Sequence, residues 1–243
     1  MKHTSKYRIS IMLVLFSFLM QSQEKKTDTT IVTTSRYGLR IGIDLFKLSR
    51  SFYEKDYTGL EIVGDYRLTK KYFLAGELGN ENKTVDGDRV NFTTKGTYFK
   101  AGFDYNLYEN WLNMENLVYL GLRYGVSSFS QTLNSYSNYN RYDYFNETNT
   151  IISGQKFTGL SAQWLEVVVG VNTKVFNNFY VGFSFRANKL VSNKKPANFD
   201  NLYIPGFNRT YDGDFGVGFN YTVSYFLPIY KKKTIATVKK KKQ

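Results

Sequence analysis

The sequence predicts an all-β chain folded as an antiparallel transmembrane β-barrel of about eight strands, with short periplasmic turns and longer outer loops. Three observations carry this reading. Apolar and polar residues alternate with period two over runs of roughly 9 to 13 residues, the length a tilted strand needs to cross a bilayer. The composition is rich in strand formers, with 21 Tyr and 20 Phe against 3 Pro in 243 residues. Short and long connections also alternate along the chain.

The first element is not a strand. Lys2, Lys6 and Arg8 precede an apolar run from Ile9 to Met20, and polar residues follow. That order matches a secretory leader cleaved after Ser22, since a helical anchor would need roughly 20 apolar residues. Residues 1–22 are therefore expected as a signal peptide, 23–34 as an N-terminal extension, 35–228 as the barrel and 229–243 as a Lys-rich tail. With 0 Cys the fold has no disulfide, and lipid attachment to an N-terminal cysteine is excluded.

Strands are expected in order. The first, YGLRIGIDLF (37–46), sets Tyr37, Leu39, Ile41, Ile43 and Leu45 against Gly38, Arg40, Gly42 and Asp44. LEIVGDYRL (60–68), YFLAGEL (72–78), TYFKAGFDYNL (97–107) and VYLGLRYGV (118–126) repeat the pattern. LEVVVGVNTKV (165–175), YVGFSFRA (180–187) and FGVGFNYTVSYFL (215–227) complete the set. Segments 69–71, 108–116 and 177–178 are the short turns. Segments 49–56 and 80–94, with the stretches near 130–160 and 192–213, are the outer loops, which puts both chain ends on the periplasmic side.

Alternation alone does not separate a membrane barrel, apolar outside, from a lipocalin-like lipid carrier, apolar inside. The glycines do. Gly38, Gly42, Gly79, Gly102, Gly121, Gly125, Gly170 and Gly182 all fall on the polar face, where only a crowded narrow bore has reason to omit side chains. Charges on that face also balance. Asp44, Glu61, Asp65, Glu77, Asp104 and Glu166 oppose Arg40, Arg67, Lys100, Arg123, Lys174 and Arg186, as a closed lumen requires when an unpaired buried charge costs several kcal/mol. Tyr37, Tyr72, Tyr105, Phe179 and Tyr225 lie near strand ends, where aromatic girdles meet headgroups.

In the last strand, Asp214, Gly216, Phe219 and Tyr221 match the C-terminal assembly signal of outer-membrane barrels: a polar residue, Gly two positions on, then aromatic residues at alternate places. With the leader and the hairpin rhythm, residues 35–228 resemble the small outer-membrane β-barrel proteins of Gram-negative bacteria, of the eight-stranded outer-membrane protein A or X type. More narrowly, they resemble the uncharacterised barrel families of that membrane. The resemblance implies the outer membrane as location and the barrel assembly machinery and outer-membrane lipid as partners. Barrels of this type often end at the aromatic residue, whereas here a lysine-rich tail follows Pro228.

Chemistry is limited by what is missing. His3, inside the leader, is the single histidine, so the mature chain offers neither imidazole nor thiol. His-dependent catalysis and the strongest transition-metal ligands are therefore not expected; nor is an enzyme or a bound cofactor. Glu61 and Asp65 share a strand face but are expected to pair with Arg67 or Arg40. The VDGD stretch (85–88) offers oxygen ligands but reads as a turn. Removing the three basic residues of the leader and the seven lysines of the tail from the net +13 leaves +3, so no basic nucleic-acid face is expected.

An extracellular ligand of unspecified identity would meet the Tyr- and Asn-rich stretch 135–149, with Tyr136, Tyr139, Arg141, Tyr142, Tyr144 and Phe145 as contact candidates. The chain is expected to be a monomer with a structural or surface-interaction role and a closed lumen. A narrow pore or small-molecule transporter and a periplasmic lipid carrier are the alternatives.

Overall fold

The structure is a computed structural model that describes residues 30–108, 115–137, 150–196, 200–209 and 214–237. Its long strands are β1 (Thr30–Asp44), β2 (Tyr57–Arg67), β3 (Tyr72–Asp86), β4 (Val90–Asn106), β5 (Leu117–Ser137), β6 (Thr150–Phe176), β7 (Phe179–Lys194) and β10 (Phe215–Thr237). A helix, α1 (Leu45–Tyr53), follows β1, and a two-residue hairpin, β8 (Tyr203–Ile204) and β9 (Asn208–Arg209), precedes β10. The eight long strands close into one antiparallel barrel in the order β1-β10-β7-β6-β5-β4-β3-β2. The barrel is a compact unit of Ser35–Lys232.

The sheet faces settle the inside-out question. Leu74, Leu78, Phe99, Phe103, Leu120, Leu122, Val167, Val169, Phe183 and Phe185 are all between 40 and 57% exposed. Their chain neighbours Glu77, Lys100, Asp104, Arg123, Glu166, Val168, Ser184 and Arg186 are buried. Apolar groups point out and charges point in, which excludes the lipid-carrier reading. On β4 and the residue after it the outward apolar run is Phe99, Ala101, Phe103, Tyr105 and Leu107, and on β5 it is Val118 to Val126, each nine residues long. This is the span a tilted strand needs to cross the hydrocarbon. Among the described residues no helix is long and apolar enough to cross a membrane.

The strands are longer than the membrane needs. The 21 residues of β5 extend roughly 70 Å, against a hydrocarbon core of ~30 Å. Beyond Val126 its outward residues turn polar: Ser128, Ser130, Thr132 and Asn134. Its partner β4 changes in the same place, to Thr97, Lys95 and Thr93. The sheet therefore rises out of the apolar belt at the end opposite the start of β1.

Several expected loops are regular structure. Segment 80–94 is an arm of the β3–β4 hairpin, paired from Asn80↔Thr97 up to Asp86↔Asn91, and only residues 87–89 turn. Segment 49–56, with the former strand end Leu45 and Phe46, belongs to α1 and its exit. Asp44 caps this helix by accepting from the Phe46 N–H at 2.8 Å, and Arg50 sits in its last turn. Ser51 then fastens it to β2, its Oγ accepting from the Gly59 N–H at 2.8 Å. At the other end of the chain β10 continues beyond Pro228 to Thr237, into the stretch expected as a Lys-rich tail.

Aromatic pairs mark the end nearest the start of β1. Tyr72 and Tyr105 lie opposite each other with ring centroids 5.2 Å apart, and Phe179 and Tyr225 do so at 5.0 Å. Tyr37 departs from the expected girdle: it is buried, stacked on Tyr230 at 5.1 Å, with the Arg67 guanidinium over its ring.

Candidate functional site in the barrel lumen

Because side chains alternate, the inward residues of eight strands converge on one narrow bore, and the charged ones meet in layers. Nearest the start of β1, Arg40 holds Asp65 through two hydrogen bonds of 2.7 and 2.9 Å and lies over the Tyr180 ring. Beside it Arg36 grips Glu115, which also accepts from the Tyr180 hydroxyl at 3.0 Å. Burial pushes the Glu115 carboxyl up, but the Arg36 hydrogen bond and charge outweigh this and hold it below the ordinary carboxylate value.

The middle layer is a connected ion network. Glu77 receives Lys100 at 3.0 Å, Arg186 at 2.6 Å and Arg123 at 3.6 Å. Arg186 also reaches Glu166 at 2.6 Å, and Arg123 reaches Asp104 at 2.8 Å. Lys100 extends the chain to Glu61 at 3.5 Å and Glu166 at 3.7 Å. Trp164 donates its indole N–H to Glu166 at 3.2 Å. Each of these charged groups is at most 5% exposed, so none could stand unpaired without a penalty of several kcal/mol.

The third layer lies at the loop end. Lys47 of α1 turns inward to Glu61 at 2.8 Å and Glu81 at 2.7 Å and also donates to the Tyr98 hydroxyl. Tyr98 in turn donates to Glu61 at 2.5 Å. Asn220 bridges from β10, donating to Asp44 and, at 3.0 Å, to Glu61. Above these charges sits a small apolar core of Tyr98, Phe129, Leu160, Ala162, Trp164, Leu190, Ile204 and Phe207. The β8–β9 hairpin inserts Ile204 and Phe207, both 0% exposed, into this core. It is fixed there by the Tyr203 hydroxyl, which donates to Glu81 at 2.7 Å, and by the Gly206 N–H at 3.3 Å.

The inward glycines leave room for these groups. A Cβ at Gly125 would overlap the Trp164 indole, one at Gly79 the Tyr98 ring and one at Gly170 the Tyr119 ring. Gly206, at φ +81°, combines a left-handed backbone with close approach to Tyr98.

Of the twelve charges expected in the lumen, Glu61, Glu77, Lys100, Asp104, Arg123, Glu166 and Arg186 share the central network, while Arg40 and Asp65 form a separate pair. Asp44 acts as helix cap and Asn220 partner. Arg67 donates to the carbonyls of Thr69 and Arg36 rather than to Asp65 or Glu61. Lys174 is half-buried and makes no ion pair among the described residues; its backbone N–H donates to Asn116 at 2.9 Å. Among the outer-loop candidates, Tyr136 lies in β5 opposite Val90 and Ile151. Tyr139, Arg141, Tyr142, Tyr144 and Phe145 lie outside the described residues.

Four charged partners were missed from sequence: Arg36 and Glu115 of the first layer, and Glu81 and Lys47. Glu81 keeps the parity of Glu77 and Gly79 on β3, so extending that strand by one inward position would have found it. Lys47 follows the break in alternation at Leu45, where only the Asp44 cap signals a helix.

No curated protein matches the chain. Among solved structures it is similar to Ail, the attachment invasion locus protein of Yersinia pestis, at 11% identity and a TM-score of 0.39, over 81% of this chain and 98% of that one. A structure of Ail in complex with the heparin analogue sucrose octasulfate matches at the same identity and coverage, with a TM-score of 0.38. The family model described as "Domain of unknown function (DUF6048)" matches residues 4–232, and the chain belongs to this family.

Proposed function

We infer that this is an outer-membrane barrel with a closed lumen that works through its loop end and performs neither catalysis nor bulk transport. The observation that carries this reading is the filled bore. Buried ion pairs occupy its middle, and the hairpin with its apolar core fills the loop end. The cavities beside the Arg123–Asp104 and Arg40–Asp65 pairs measure only about 20 to 40 Å³, and one of about 250 Å³ lies beside α1 and β10. A narrow pore would need a continuous water-filled path.

The remaining roles follow from this placement. The leader would carry the chain across the inner membrane and be cleaved after Ser22, and the assembly machinery would insert a monomer into outer-membrane lipid. The stretch from Tyr136 to Phe145, which joins β5 to β6 in the sequence, would meet an extracellular ligand. The test is expression of the full chain in a Gram-negative host, with the outer membrane isolated and boiled and unboiled samples compared on a detergent gel. A band in that fraction whose migration changes on boiling is expected, and its N-terminus should begin at Gln23. A water-soluble periplasmic band without a shift would contradict the reading.

A further inference from the structure

One cavity borders the central network at Lys100 and Arg186, and its walls come from both faces of the barrel. It measures about 250 Å³ and is bounded by α1, β7, β10 and the hairpin. Gly42 approaches Val223 and Ser224 of β10, and β1 ends two residues later, so residues 215–221 of β10 run past the end of β1. The helix takes over from the strand there. Phe46 packs on the outward rings of Phe219 at 4.5 Å and Tyr221 at 5.8 Å, while the next residue, Lys47, points into the lumen. The wall at this seam is thus a helix beside a strand edge, and the cavity reaches from outward Phe219 and Val217 to inward Arg186 and Asn188.

The inner wall carries unused hydrogen-bonding capacity. Arg186 commits one terminal nitrogen to Glu77 and Glu166, but its Nε is buried without a partner. Asn188, 3% exposed, buries an Oδ1 without a partner. An orphaned donor and an orphaned acceptor, two residues apart on one face of β7, ask for a ligand that both accepts and donates. A phosphate monoester does both, with its oxygens for Arg186 and its hydroxyl for Asn188. The cavity is smaller than the roughly 300–1,000 Å³ of a site for a whole small molecule. It therefore holds a head group and leaves an apolar chain against Phe46, Val217 and Phe219.

We propose that the seam between α1 and β10 is a lateral binding site for a phosphate-bearing amphiphile, whose head group enters the loop-end lumen while its acyl chain stays in the surrounding membrane. The proposal rests on the membrane-barrel reading above.

The test is native mass spectrometry of the folded full chain in a maltoside detergent, with n-dodecyl phosphate, n-dodecanol and inorganic phosphate offered separately. One retained n-dodecyl phosphate per barrel is expected, with neither of the other probes held. Asn188→Asp, which places a negative charge at the head-group position, should weaken retention by about tenfold or more, corresponding to ~1.4 kcal/mol. Gly218→Leu should do the same by filling the cavity, since a Cβ there meets only Asn208 Nδ2 at 3.5 Å. If Gly218→Leu does not fold, Asn188→Asp decides alone. Absent retention, equal retention in the variants, or inorganic phosphate held as tightly would overturn the proposal. A wild-type chain whose migration does not change on boiling would instead overturn the barrel reading beneath it.

Discussion

At the scale of single residues, the lumen is a set of charges that stabilise the barrel only together. Arg186→Leu leaves Glu77 and Glu166 short of a counter-charge at 0–5% exposure. It should cost about 3–5 kcal/mol in urea unfolding of the refolded barrel. Lys174→Ala, outside any described ion pair, should change stability by less than about 0.5 kcal/mol. Glu54, at the exit of α1 and clear of the membrane, gives a pH signature. The Arg50 hydrogen bond, with help from Lys83, holds its carboxyl below the ordinary value of 4.5 despite some burial. A carboxyl depressed in the folded state stabilises above the ordinary value, and that contribution disappears as pH falls through the folded value. Protection factors of the α1 amides, taken relative to the intrinsic exchange rate at each pH, should therefore be high at neutral pH and fall below pH 4.5, and Glu54→Gln should remove the added protection at neutral pH.

At the scale of elements, legibility followed periodicity. The eight membrane strands could be read because every second residue is selected by lipid, and a one-residue slip would turn Lys100 or Arg186 outward. The ion network was readable for the same reason, since parity placed seven of its members on one face. Elements outside the apolar belt carry no such signal. The β3–β4 arm, with Asn80, Asn82, Thr93 and Lys95 outward, resembles a polar loop in composition although it is paired throughout. In α1, nine residues are too few for a clear helical period, and the Asp44 cap is the one local sign of the helix that carries Lys47 to the lumen. The β8–β9 hairpin is two residues per strand, and nothing in IPGFN signals that Phe207 ends in a core. Phe207→Ala should cost about 3–5 kcal/mol and increase protease cleavage within residues 200–209, measured on the refolded barrel.

At the scale of the whole molecule, the net +13 is a property of the chain ends, and the barrel itself is nearly neutral. Its stability comes from a sheet without edges, an outward apolar belt facing the membrane and an interior whose charges are held in ion pairs. A closed sheet of this kind keeps its shape in detergent until heated, which is why boiling should change its migration. The proposed closed lumen rests on the same interior: Glu61, Glu77 and Glu166 are held by Lys47, Lys100 and Arg186, with the hairpin core above them. The most direct test is the current carried by the refolded full chain in a planar lipid bilayer under an applied potential. The filled lumen predicts no steady conductance above that of the bare bilayer, and a reproducible ohmic current altered by Arg186→Leu would contradict it.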